Sequence, residues 1–95
     1  MVTFSGTTGD LLARAAGYTA TAEDGDVGSV ETPLFPSDSR EPDFLVLRVR
    51  TRGRTRRPIV SCALVADVDP ARRVVRLRAA RSDVLRLPEH VPIAI

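Results

Sequence analysis

The chain of 95 residues has no lysine and no tryptophan, one cysteine, one histidine, one tyrosine and three phenylalanines. Each scarcity excludes something. A single cysteine, Cys62, forms no internal disulfide, which agrees with a reducing compartment. Cys62 and His90 lie far apart in sequence and are too few for a conventional zinc site. As a nucleophile and base they are equally poor. Cys62 sits in the apolar run 59–65, where a small residue packs into a core, so it reads as inert. Phe4, Tyr18, Phe35 and Phe44 are the whole aromatic supply, too little for the stacking platforms of single-strand RNA binders. No apolar run approaches the roughly 20 residues of a membrane helix. The opening Met1-Val2-Thr3-Phe4-Ser5-Gly6 lacks the basic start and apolar stretch of a signal peptide, so a cytoplasmic location and no membrane insertion are expected.

What is abundant is arginine. All fourteen basic residues are Arg, against twelve acids, for a net charge of +2. Residues 1–47 carry two Arg and eight acids (−6), whereas residues 48–95 carry twelve Arg and four acids (+8). Such a split can mark a nucleic-acid or acidic-partner surface. Strands from the two halves lying side by side would instead neutralise each other.

Residues 1–9 are small and polar and read as a loose lead-in to one domain over 10–95. A short helix is expected over 10–16, capped by Thr8 or Asp10, burying Leu11, Leu12, Ala15 and Ala16, and ended by Gly17. Apolar alternation of period two then begins at Tyr18, Ala20 and Ala22, and a second strand is expected over 27–32. Asp24 and Gly25 supply hairpin chemistry, with Gly28 assigned to the same hairpin geometry. Residues 33–43, with three prolines, read as a long connection whose Leu34 and Phe35 fold back onto the core. Residues 44–52 give the clearest strand, with Leu45, Leu47 and Val49 on one face and Phe44, Val46, Arg48, Arg50 and Arg52 on the other. Strands at 59–65 and 73–79 follow, with a turn at 67–71 between them. In the latter, Val75, Leu77 and Ala79 oppose Val74, Arg76 and Arg78. Ser82 or Asp83 is expected to cap a helical turn over 83–87, stopped by Pro88. Five short strands with regular turn signals predict a mainly all-β fold, a small antiparallel β-barrel with a short N-terminal helix and a C-terminal helical turn.

Several stretches, in order, resemble the PRC-barrel domain family. They are Gly17-Tyr18-Thr19-Ala20-Thr21-Ala22-Glu23-Asp24-Gly25-Asp26-Val27-Gly28-Ser29-Val30, the strand Phe44-Leu45-Val46-Leu47, Ile59-Val60-Ser61-Cys62-Ala63-Leu64-Val65-Ala66-Asp67-Val68-Asp69, Val74-Val75-Arg76-Leu77, and the closing Asp83-Val84-Leu85-Arg86-Leu87-Pro88. The likeness spans about residues 11–92. It implies a small bacterial β-barrel of adaptor type, docking onto protein or ribonucleoprotein, and brings no catalytic motif with it.

The residues carry the same expectation. Arg48, Arg50 and Arg52 share a strand face, and Arg76 and Arg78 share another. If those strands are neighbours, five guanidinium groups line one surface suited to carboxylate or phosphate. Asp24/Asp26 and Asp67/Asp69 lack the further ligands of a calcium loop, and Gly25/Gly28 lack the Gly-Lys-Ser/Thr of a phosphate loop. No cofactor, metal or catalysis is expected. The expected function is a non-catalytic module binding an unidentified protein partner through the arginine face or the 31–43 loop. The alternative is an RNA- or ribosome-associated factor using the same arginines on phosphate. The apolar tail 91–95 adds the expectation of a homodimer.

Overall fold

A computed structural model describes residues 11–35 and 42–89. The expected caps Thr8 and Asp10, most of the 31–43 loop's tip (36–41), His90 and the tail 91–95 lie outside those residues.

Helix α1 covers residues 11–13, and Leu12 and Ala15 enter the core while Ala16 is exposed. The helix stops at residue 13, short of the expected 16, so Gly17 does not end it. Gly17 instead turns the chain into β1 at φ +89, a backbone angle that favours glycine, and its N–H donates to the Val30 carbonyl at 2.7 Å. Strand β1 (Thr19–Ala22) then turns through Glu23-Asp24 into β2 (Gly25–Leu34), with Ala22 opposite Gly25. Gly25 closes this hairpin at φ +138, as its assignment to the turn requires. Gly28 does not belong to the turn. It lies inside β2, where a Cβ would stand 2.2 Å from the Arg48 carbonyl oxygen, so glycine is needed for close approach of two backbones.

β2 runs on through Pro33 and Leu34, residues expected in a connection, by pairing with β3 (Phe44–Thr51) after a bulge at Glu31. A two-residue turn at Arg52-Gly53, both at positive φ (47 and 81), sends the chain back as β4 (Arg54–Arg56) and β5 (Ile59–Ser61). Thr51 pairs Arg54, Val49 pairs Arg56, Val46 pairs Ile59 and Phe44 pairs Ser61, so the register never slips. β4 and β5 are one edge strand, interrupted at Arg57-Pro58 where proline has no N–H to give to a ladder. On its far side the edge is held by Pro58 bridging Glu89 and by the Ile59 N–H donating to the Pro88 carbonyl at 2.8 Å.

The expected strand 59–65 is broken by a 3-10 turn at Cys62–Leu64, whose Cys62 N–H donates to the Asp43 carbonyl and whose Ala63 N–H donates to Ser61 Oγ. β6 (Val65–Asp69) takes in positions 67–69, expected as turn, and the actual turn falls at 70–73, before β7 (Val74–Leu77). Helix α2 (Arg81–Leu85) starts two residues earlier than expected. Its N-cap is Ala80, and neither Ser82 nor Asp83 caps it. The Arg81 N–H donates instead to Asp24 Oδ1 at 2.9 Å, so the β1–β2 turn supplies the cap from 57 residues away.

The fold is mainly β with short helices. Its strands form one sheet in the order β4-β3-β2-β1-β7-β6, with β5 also on β3. Five pairings are antiparallel, but β1 and β7 run parallel, contrary to the wholly antiparallel expectation. The sheet wraps one core of Leu12, Ala20, Val30, Leu45, Leu47, Val60, Val75, Leu77, Val84 and their neighbours. Each fully buried Leu or Val contributes roughly 1.5–3 kcal/mol. Leu45, Leu47, Val49, Val75 and Leu77 all face inward as their alternation predicts.

Candidate binding face

Because Leu45, Leu47 and Val49 fill the core, Phe44, Val46, Arg48 and Arg50 project from the outer face of β3. Arg48 and Arg50 are exposed and line a concavity of ≈ 480 Å³ together with Val27, Gly28 and Ser29. Ser29 stands directly opposite Arg48 in the ladder, so its hydroxyl shares their face. Among the described residues, no carboxylate pairs with either guanidinium.

The other arginines of the expected face are placed elsewhere. Two strands, β2 and β1, separate β3 from β7, about 14 Å at the usual strand spacing. Arg76 is held by Asp67 at 2.8 Å and approached by Asp69 at 3.9 Å, and the Asp67 hydrogen bond raises its pKa further. Arg78 is exposed just beyond β7. Arg52 leaves the strand face altogether, because it occupies the first central position of the β3–β4 turn. The five arginines therefore do not form one patch. Arg48 and Arg50 form a pair, and Arg76 and Arg78 lie apart from them.

Around the pair, Arg56 and Arg57 are neutralised, while Arg54 is exposed with no carboxylate partner among the described residues. Arg57, opposite Arg48 in the continuous register, donates through Nε to both Glu31 oxygens at 2.9 and 3.1 Å. This ion pair spans from β2 to the edge strand across β3, and Val46, on the same face, is fully buried. Arg56 pairs with Glu89 at 3.3 Å. The turn aspartates are likewise engaged structurally: Asp24 caps α2, and Asp69 Oδ1 accepts from the Arg72 N–H at 3.1 Å.

Below the Glu31–Arg57 pair, the same face becomes apolar. Leu34 and Ser61 flank Phe44, Ile59 stands opposite Val46, and Leu64, Leu87 and Pro88 complete a groove of ≈ 440 Å³. Phe44 is 43% exposed and Phe35 46% exposed. Leu34 and Phe35 thus do not return to the core; one lines the groove and the other faces solvent. The legible signal was Phe44-Leu45-Val46-Leu47, apolar on both faces in a strand expected to be half solvated.

Set against protein-family models and curated proteins, the chain matches none. The face must speak through its own chemistry.

Among the described residues the one thiol is not activated. Cys62 is half-buried in the 3-10 turn and not in a core strand. Burial, with the Asp43 carboxylate adding to it, pushes its thiol up to about 11, the opposite of an activated nucleophile. Among the described residues, no group of three His, Cys, Asp or Glu could hold a metal ion. No helix there is long and apolar enough to cross a membrane.

Proposed function

We propose that this chain is a non-catalytic binding module that docks onto an acidic protein segment through Arg48 and Arg50. One observation carries the reading: these two guanidiniums project from one rigid strand into a shared concavity without a carboxylate partner among the described residues, whereas Arg56, Arg57, Arg72 and Arg76 all have one. Guanidinium binds carboxylate through paired hydrogen bonds, and a strand spacing of about 7 Å between alternate residues suits carboxylates two positions apart on an extended partner. The likeness to PRC-barrel adaptors supports the same reading.

A nucleic-acid role is the weaker reading. Two arginines, Arg48 and Arg50, line this concavity, so a single strand lying in it meets about two cations, for a salt slope of about −1.4 from this site. Calorimetric titration of the protein with a glutamate-rich peptide and with generic RNA, each at two salt concentrations, tests the choice. Binding of the peptide with little RNA affinity at either salt is expected. RNA binding with a slope several times steeper, and no response to the peptide, would overturn the proposal in favour of a ribonucleoprotein partner.

A further inference from the structure

The arginine pair and the apolar groove lie on the same face of the same strand. Phe44 and Arg48 are four residues apart on β3 and Arg50 two further, which is about 13 and 20 Å along a strand. Between them the face is neutral, because Glu31 satisfies Arg57. At the groove end Asp43 is exposed beside Phe44, which disfavours carboxylates there. An extended ligand thus meets a fixed order of chemistry: apolar, neutral, cationic.

Resting on the docking function proposed above, we propose that the partner is a single acidic-and-apolar peptide segment. Its bulky aliphatic or aromatic side chain fills the groove of Leu34, Phe44, Ile59, Leu64, Leu87 and Pro88. Its carboxylates, four to six residues along, engage Arg48 and Arg50. Charge complementarity selects this occupant over a purely apolar one, since a ligand filling only the groove would leave both guanidiniums unmet. The groove also sets polarity: Asp43 on one side and the arginines on the other allow one direction of each peptide strand. Specificity arises from spacing, which neither half provides alone.

The test uses the full chain and labelled synthetic peptides followed by fluorescence anisotropy. One carries four glutamates and a leucine five residues away, made in both orders. A second has alanine for that leucine, a third has the leucine next to the glutamates, and a fourth has glutamine for every glutamate. The spaced-leucine peptide is expected to bind about tenfold tighter than the alanine and adjacent-leucine peptides. Phe44→Ala, at an exposed position that leaves the core intact, is expected to erase that advantage without touching the alanine peptide's affinity. Equal affinity for the leucine and alanine peptides, still lost in Arg48→Glu/Arg50→Glu, would overturn the groove's role and leave the acidic-partner reading standing. Binding of the glutamine peptide as tight as the glutamate one would overturn both. Self-association of the protein abolished by Phe44→Ala would assign the groove to a second copy. A leucine advantage appearing only after removal of 91–95 would assign it to the chain's own tail. Either result overturns the peptide proposal.

Discussion

Arg48 and Arg50 on β3 and Arg76 and Arg78 at β7 share one residue type and one period-two spacing, yet they are chemically different. On β7 the cross-strand neighbour β6 brings Asp67 and Asp69 to Arg76. On β3 the neighbours β2 and β4 place Ser29 and Thr55 beside Arg48 and Arg50. Whether an arginine is a structural counter-ion or an available ligand is decided by the strand next door. At β7 Arg76 is internally neutralised, while Arg78, just beyond the strand, is exposed with no carboxylate partner among the described residues. On β3 both arginines present their charge outward into one concavity.

The two regions can be uncoupled in graded steps. The largest effect is expected from Gly28→Ala, since the added methyl meets the Arg48 carbonyl and must force β2 from β3. A loss of about 3 kcal/mol, seen in urea denaturation, is expected for such overpacking, with the β3 site disturbed and the β6–β7 pairing intact. Next in size is Asp24→Ala. It removes the acceptor for the Arg81 N–H and is expected to cost about 1 kcal/mol, with fraying of α2 visible in amide exchange. Arg52→Asn suits the positive φ of the turn better and is expected to gain about 0.5 kcal/mol in thermal unfolding. Because Arg52 lies off the strand face, acidic-peptide affinity should stay within about twofold.

Smaller still is the response of Cys62. With its thiol held up at about 11, the protonated form dominates at neutral pH, so alkylation should be slow there. Its rate should climb only as pH rises toward that value, whereas an unperturbed thiol would already react rapidly near pH 9. Mass spectrometry of iodoacetamide-treated protein over pH 7–11 checks this.

Period two was readable wherever side chains alternate against one core, so the inward faces of β1, β3 and β7 follow directly from Ala20, Leu45, Leu47, Val75 and Leu77. Pairing was not readable, because it depends on which strands meet. That is why β3 and β7 could be imagined as neighbours, and why the parallel β1–β7 contact went unanticipated. Short-range turn chemistry identified Asp24-Gly25 but not the second task of Asp24, since a cap delivered across 57 residues leaves no local signature. Gly28 looked like a turn residue for the same reason: close approach of two strands and a positive φ both demand glycine, and only the fold tells them apart. The arginine pair was legible as residues, and its availability was not. The groove was half visible in the doubly apolar start of β3, while Leu87 and Pro88 come from the far end of the chain.

On the proposed function, availability and not arginine count makes the binding face. Two double charge reversals of the same net change separate these: Arg48→Glu/Arg50→Glu and, in the β6–β7 region, Arg72→Glu/Arg76→Glu, where both arginines already face a carboxylate. With a glutamate-rich peptide at fixed salt, the first is expected to lower affinity by about a hundredfold or more, on the scale of two charge-assisted contacts. The second is expected to lower it by no more than about threefold, through long-range charge alone. Equal losses in the two variants, or a larger loss in the β6–β7 variant, would contradict the claim.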